Sequence, residues 1–133
     1  MDKDNARSEV TDPGSLRGEP LLEHERLEVY HLALRLHAEA CDLLPGRQHR
    51  TLRDQLERAS LSIVLNIAEG AGRRAGPDKR RFYEIARGST TETAAIVDVL
   101  GARKLTAPDR RAGVHALAVR VVQRLSRLAG PVR

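Results

Sequence analysis

Apolar residues in this chain recur at spacings of three and four, the period of a helix that buries one face. From Leu21 onward, Val29, Ala33, Leu36, Ala40 and Leu43 form one row, and Tyr30, Leu34, His37, Cys41 and Leu44 form a parallel one. Two adjacent rows predict a helix over about 22–44 with a wide buried stripe. Pro45 and Gly46 end it, since neither residue continues a helix well. A second helix is predicted over about 51–71, with Thr51 and Asp54 as a weak capping pair. Its core row is Leu52, Leu56, Ala59, Ile63, Asn66 or Ile67, then Gly70. A further row, Leu61, Leu65 and Ala68, makes the same helix apolar almost all round, so it must be covered on more than one side.

"GAGRRAGP" breaks the pattern, and Pro77 suits the first turn of a third helix over about 77–103. Its row is Phe82, Ile85 or Ala86, Ser89, Thr93, Ile96, and Val99 or Leu100. After "LTAPD", in which Thr106 can cap, a fourth helix over about 107–129 runs through Val114, Leu117 or Ala118, Val121, Leu125 and Leu128. Four amphipathic helices joined by short loops predict an all-α fold, an up-down-up-down antiparallel four-helix bundle over residues 21–130. Residues 1–20 mix charges with Gly and Pro, show no apolar period, and read as a disordered acidic tail.

A length of 133 residues suits one domain with a core of its own. Tyr30, Phe82 and Tyr83 are the only aromatic residues. Cys41, the single cysteine, excludes a disulfide framework or a thiolate metal site within one chain. There is no run of about 18 apolar residues and no secretory leader, so a cytoplasmic protein without a membrane segment is expected. The formal charge of +5 is uneven: residues 1–28 sum to −4, which leaves +9 on the remainder. An acidic tail on a basic body hints at polyanionic partners.

"SIVLNIAEGAGRR", residues 62–74, places Asn66 and Glu69 in an apolar stretch, where unpaired polar groups cost several kcal/mol. Pairing the second and third helices around their loop puts Asn66 near Phe82, Ala59 near Ser89 and Leu56 near Glu92. Pairing the first two puts Tyr30 level with Asn66. A polar network of Tyr30, Asn66, Glu69, Ser89 and Glu92 that fixes helix register is therefore expected. Glu28-x-x-His31 has the spacing of a di-iron ligand pair, but no second Glu-x-x-His is present to complete such a site. With no phosphate loop and no nucleophile elbow either, neither metal nor cofactor nor catalysis is expected.

"SIVLNIAEGAGR", followed after a short loop by "RFYEIARGSTTE", resembles the signature of a bacterial four-helix-bundle protein family. That family includes the ribosomal-RNA intervening-sequence proteins and the accessory variability determinant of diversity-generating retroelements. The resemblance covers roughly residues 25–103 and includes Gln55 to Ser60. Ser62, Asn66, Ile67, Glu69 and Gly70 match the second-helix motif, and Phe82, Ala86, Gly88, Ser89 and Glu92 match the third. Where some members carry Pro-Ser, this chain has Val64 and Leu65, which predicts a second helix without a kink. The resemblance implies a homopentamer, and a basic adaptor that binds RNA and a reverse transcriptase.

Arg73, Arg74, Lys79, Arg80 and Arg81, against Asp78, form a basic cluster around the second loop. Arginine clusters bind phosphates without reading sequence. The expected function is an oligomeric, non-enzymatic adaptor that binds nucleic acid, RNA favoured, or a ribonucleoprotein. The alternative is an oligomeric protein-interaction module without nucleic acid, with Leu61, Leu65 and Ala68 as its interface. Arg73 and Arg74 also lie just beyond a helix C terminus, where cations are favourable in any case.

Overall fold

The computed structural model describes residues 20–131. A short 3-10 turn, Glu23–Arg26, leads into α1 (Glu28–Cys41), α2 (Arg50–Gly72), α3 (Gly76–Ala102) and α4 (Pro108–Ala129). The expected first helix is thus divided. Leu27 adopts an extended conformation (φ −92°, ψ 125°), and the 3-10 turn before it packs on α2 as well as on α1. α2 runs unbroken through Val64 and Leu65.

Each helix packs on its sequence neighbours, and α1 closes the bundle by packing on α4. Contacts along these seams join the start of one helix to the end of the next. Arg110 of α4 donates to the Asp42 carbonyl just after α1, while Arg124 pairs with Glu28 at the start of α1 (3.1 Å). Arg87 Nη1 of α3 donates to Ser126 Oγ of α4 (3.1 Å). The arrangement is the antiparallel four-helix bundle that the apolar rows predict.

The core is aliphatic. Leu36, Leu56, Ile63, Ile67, Leu100, Leu125 and Val121 are fully enclosed. In α1 the stripe runs through Leu32 and leaves Leu34 exposed, since the helix faces α2 and α4 together. Three hydroxyls share the core: Ser60, Thr90 and Thr93. Thr90 and Thr93 each donate to the carbonyl four residues earlier (2.8 Å), which removes the cost of burying an unpaired hydroxyl.

Helix ends depart from the predicted caps. Thr51 lies inside α2, and the N-cap is His49 in the left-handed region (φ 57°) without a side-chain cap. Ala107 rather than Thr106 caps α4, and Thr106 instead accepts from Arg111 through its carbonyl. At the end of α3, Lys104 (φ 56°) turns the chain so that the amides of Lys104 and Leu105 bond back to Gly101 and Leu100, a Schellman closure built without glycine.

Candidate nucleic-acid interface and the outer surface of α2 and α3

Between α2 and α3 lies a short ladder of polar side chains. Asn66 Nδ2 donates to the Ser62 carbonyl (2.8 Å) and to Ser62 Oγ (3.0 Å), and Ser62 Oγ lies 2.9 Å from Ser89 Oγ on α3. Asn66 and Ser89 therefore share a network, but it is smaller than expected. Glu69 is exposed and pairs with Arg73 one turn on. Tyr30 sits edge-on between His24 and His31, with ring centroids at 4.6 and 5.4 Å. Glu92 is exposed on α3. The reason is rotation: about 100° per residue carries Glu69 off the seam that holds Asn66, while Tyr30 stays on the α1 side of the bundle. The partner of Ser89 is Ser62 rather than Ala59. Side chains lean toward the N terminus of their own helix, so contacts on antiparallel helices pair residues further along the chain than their backbone levels suggest.

Gly70 explains the next position of the motif. A Cβ built there would stand 2.9 Å from Tyr83 Cε1 and 3.0 Å from Phe82 Cβ. Only glycine lets α3 lay its aromatic pair against the end of α2.

The basic cluster divides into two groups. Lys79 Nζ donates to the carbonyls of Ala71 (2.8 Å) and Gly70 (3.3 Å), closing the C terminus of α2. Arg80 reaches the Pro131 carbonyl beyond α4 (3.4 Å). These two cations serve helix ends, where a positive charge meets the negative pole of the dipole. Arg73, Arg74 and Arg81 are exposed. The guanidinium carbons of Arg73 and Arg81 lie 4.8 and 4.6 Å from the centre of the Phe82 ring, so one half-buried aromatic holds two cations at the surface.

The outer face of α2 carries Leu61 and Leu65, which are 40% and 57% exposed, with Ala68 half-buried beside them. α3 exposes Ile85 (41%) and Val99 (43%). Gly88 lies mid-helix between them with nothing within 4 Å of where its Cβ would be. A helix-interior glycine costs about 0.8–1 kcal/mol relative to alanine, and no contact within this chain requires it.

Sequence reasoning overlooked one polar cluster. His37 Nδ1 lies 2.7 Å from the buried Ser60 Oγ and 3.8 Å from Cys41 Sγ, across the α1–α2 seam. Burial pushes the Cys41 thiol above its ordinary range, against a smaller opposite effect of Ser60, so the neutral thiol prevails. Among the described residues no group of three His, Cys, Asp or Glu could hold a metal. Glu28 pairs with Arg120 and Arg124, and the Nε2 of His31 lies 3.0 Å from the Glu25 carbonyl, so both members of the Glu28-x-x-His31 pair have structural partners.

A polar ladder between two long helices, a glycine-seated aromatic pair and a helical, strand-free architecture among the described residues define a small all-helical bundle protein of the intervening-sequence class. The 23S rRNA-intervening sequence protein family matches residues 25–127, and the chain belongs to it. Comparison with curated proteins finds no match. No helix among the described residues is long and apolar enough to cross a membrane.

Proposed function

We propose that the protein is a cytoplasmic, non-enzymatic, oligomeric adaptor that binds nucleic acid, RNA favoured, through the phosphate backbone. The observation that carries this reading is the fixed presentation of Arg73 and Arg81 on the Phe82 ring, with Arg74 exposed beside them. Guanidinium groups held in place lose little freedom on meeting a phosphate and bind it in two-pronged fashion. A family named for a ribosomal-RNA insertion supports RNA over other polyanions. Within the same reading, a ribonucleoprotein such as a reverse transcriptase is a partner of suitable chemistry, and the assembly is a homopentamer. A module without nucleic acid is favoured by the exposed Leu61 and Leu65, which suit protein contact.

Lys79 and Arg80 serve helix ends, so the informative variant is Arg73, Arg74 and Arg81 changed to Ala together. Filter binding of a structured RNA over a salt series should show affinity falling steeply with salt. The slope should lessen by about 0.7–0.9 for each phosphate contact removed. Binding should weaken alike for all RNA sequences. Identical curves for wild type and variant would assign these arginines to solubility and end the nucleic-acid reading at this site.

A further inference from the structure

Two exposed stripes on this bundle have the spacing of a coiled-coil seam and no partner within the chain. On α2 the stripe is Arg58, Leu61, Leu65 and Ala68; on α3 it is Ile85, Gly88, Glu92, Ala95 and Val99. Alternating steps of three and four keep such a stripe on one side of a helix and suit it to receive another helix. The stripes differ in shape and in charge. α2 presents bulky leucines and a cation, whereas α3 presents a hollow at Gly88 beside an anion. Arg58 and Glu92 are both exposed, and neither is bonded or ion-paired within the described chain.

We infer that the two stripes are the halves of one head-to-tail contact between copies of this chain, the α2 stripe of one copy seated on the α3 stripe of the next. This rests on the oligomeric part of the proposed function and specifies its geometry. A symmetry axis running along the bundle keeps every residue at its own level. Contacts between copies then follow the relation that Ser62 and Ser89 set within one copy (2.9 Å). By that relation Leu65 meets Ile85 and Gly88 of the next copy, Leu61 meets Gly88 and Glu92, and Arg58 meets Glu92. Leucines fill the open space at Gly88, and the unpaired charges neutralise each other at the position where the register requires it. A face packed on its own copy would instead bring Arg58 toward Arg58 and leave the Gly88 hollow unfilled. Because the two halves are unlike, the contact repeats from copy to copy and closes as a ring.

The test breaks one half at a time. Leu65→Glu removes the α2 half and Gly88→Glu the α3 half; both positions are exposed, so circular dichroism should show unchanged helix content. By light scattering each variant alone should be a monomer of 14.7 kDa. An equimolar mixture should double that mass and stop there, as an intact α2 stripe on one variant meets an intact α3 stripe on the other. In a second arm, Arg58→Glu and Glu92→Arg should each weaken assembly, and the two combined in one chain should restore it. If wild type is oligomeric but either variant assembles normally, or the mixture stays monomeric, the head-to-tail contact is wrong while the oligomeric reading stands. A monomeric wild type overturns both.

Discussion

Asn66 and Glu69 belong to one motif yet do different work, and one turn of helix separates their fates. Asn66 closes a hydroxyl ladder to α3, whereas Glu69 holds Arg73 at the surface. The sequence shows that both are polar within an apolar stretch. It does not show the rotation that puts one in the seam and the other outside, because both neighbours of α2 must be placed first. Leu32 and Leu34 teach the same lesson on α1, where only the position of α4 decides which is buried. Tyr83 is buried at the α2–α3 crossing, and desolvation raises its hydroxyl above the ordinary value of 10.0. The neutral phenol is thus favoured in the folded state more than in the unfolded chain. Stability from this group is whole below about pH 10 and is lost as pH rises through the folded value. Tyr83→Phe should leave melting temperature at pH 7 nearly unchanged and flatten its decline above pH 10, as read by circular dichroism melts.

At the scale of elements, the α2–α3 hairpin depends on Gly70. Gly70→Ala would drive a methyl into the Tyr83 ring at 2.9 Å, and a buried ring has little room to retreat. Overpacking of this kind costs about 1–3 kcal/mol, measurable as a lower denaturation midpoint in urea. An unchanged midpoint would mean that α3 slides at no cost and that the glycine is not what sets the crossing. All four helices were legible as apolar periods, since helix burial leaves a signal every three to four residues. Their ends were less so. His49 and Ala107 cap without side-chain bonds, and Lys104 takes a left-handed turn that glycine would ordinarily mark. The basic cluster was visible as charge, but its division between helix-end carbonyls and surface depends on where α2 and α4 finish. Lys79 and Arg80 lie close enough to those ends to be drawn in; Arg73, Arg74 and Arg81 do not bond there.

For the molecule as a whole, the surface is more informative than the core. A bundle that exposes Leu61, Leu65, Ile85 and Val99 while placing Gly88 among them has an outside designed for contact. Light scattering on the paired variants and the salt series on RNA test assembly and phosphate binding separately, so one can fail without the other. The connectors have a consequence of a different kind. Only residues 73–75 link α2 to α3, whereas residues 42–49 separate α1 from α2. Closing the longer loop costs about 0.6 kcal/mol more for each doubling of length, so chain entropy favours the α2–α3 hairpin as the first long-range structure to form. The rate-limiting step of folding should then contain that hairpin and leave α1 undocked. In stopped-flow chevrons, Gly70→Ala should chiefly slow refolding and Leu36→Ala chiefly accelerate unfolding, which would make the earliest-synthesised helix the last to find its place.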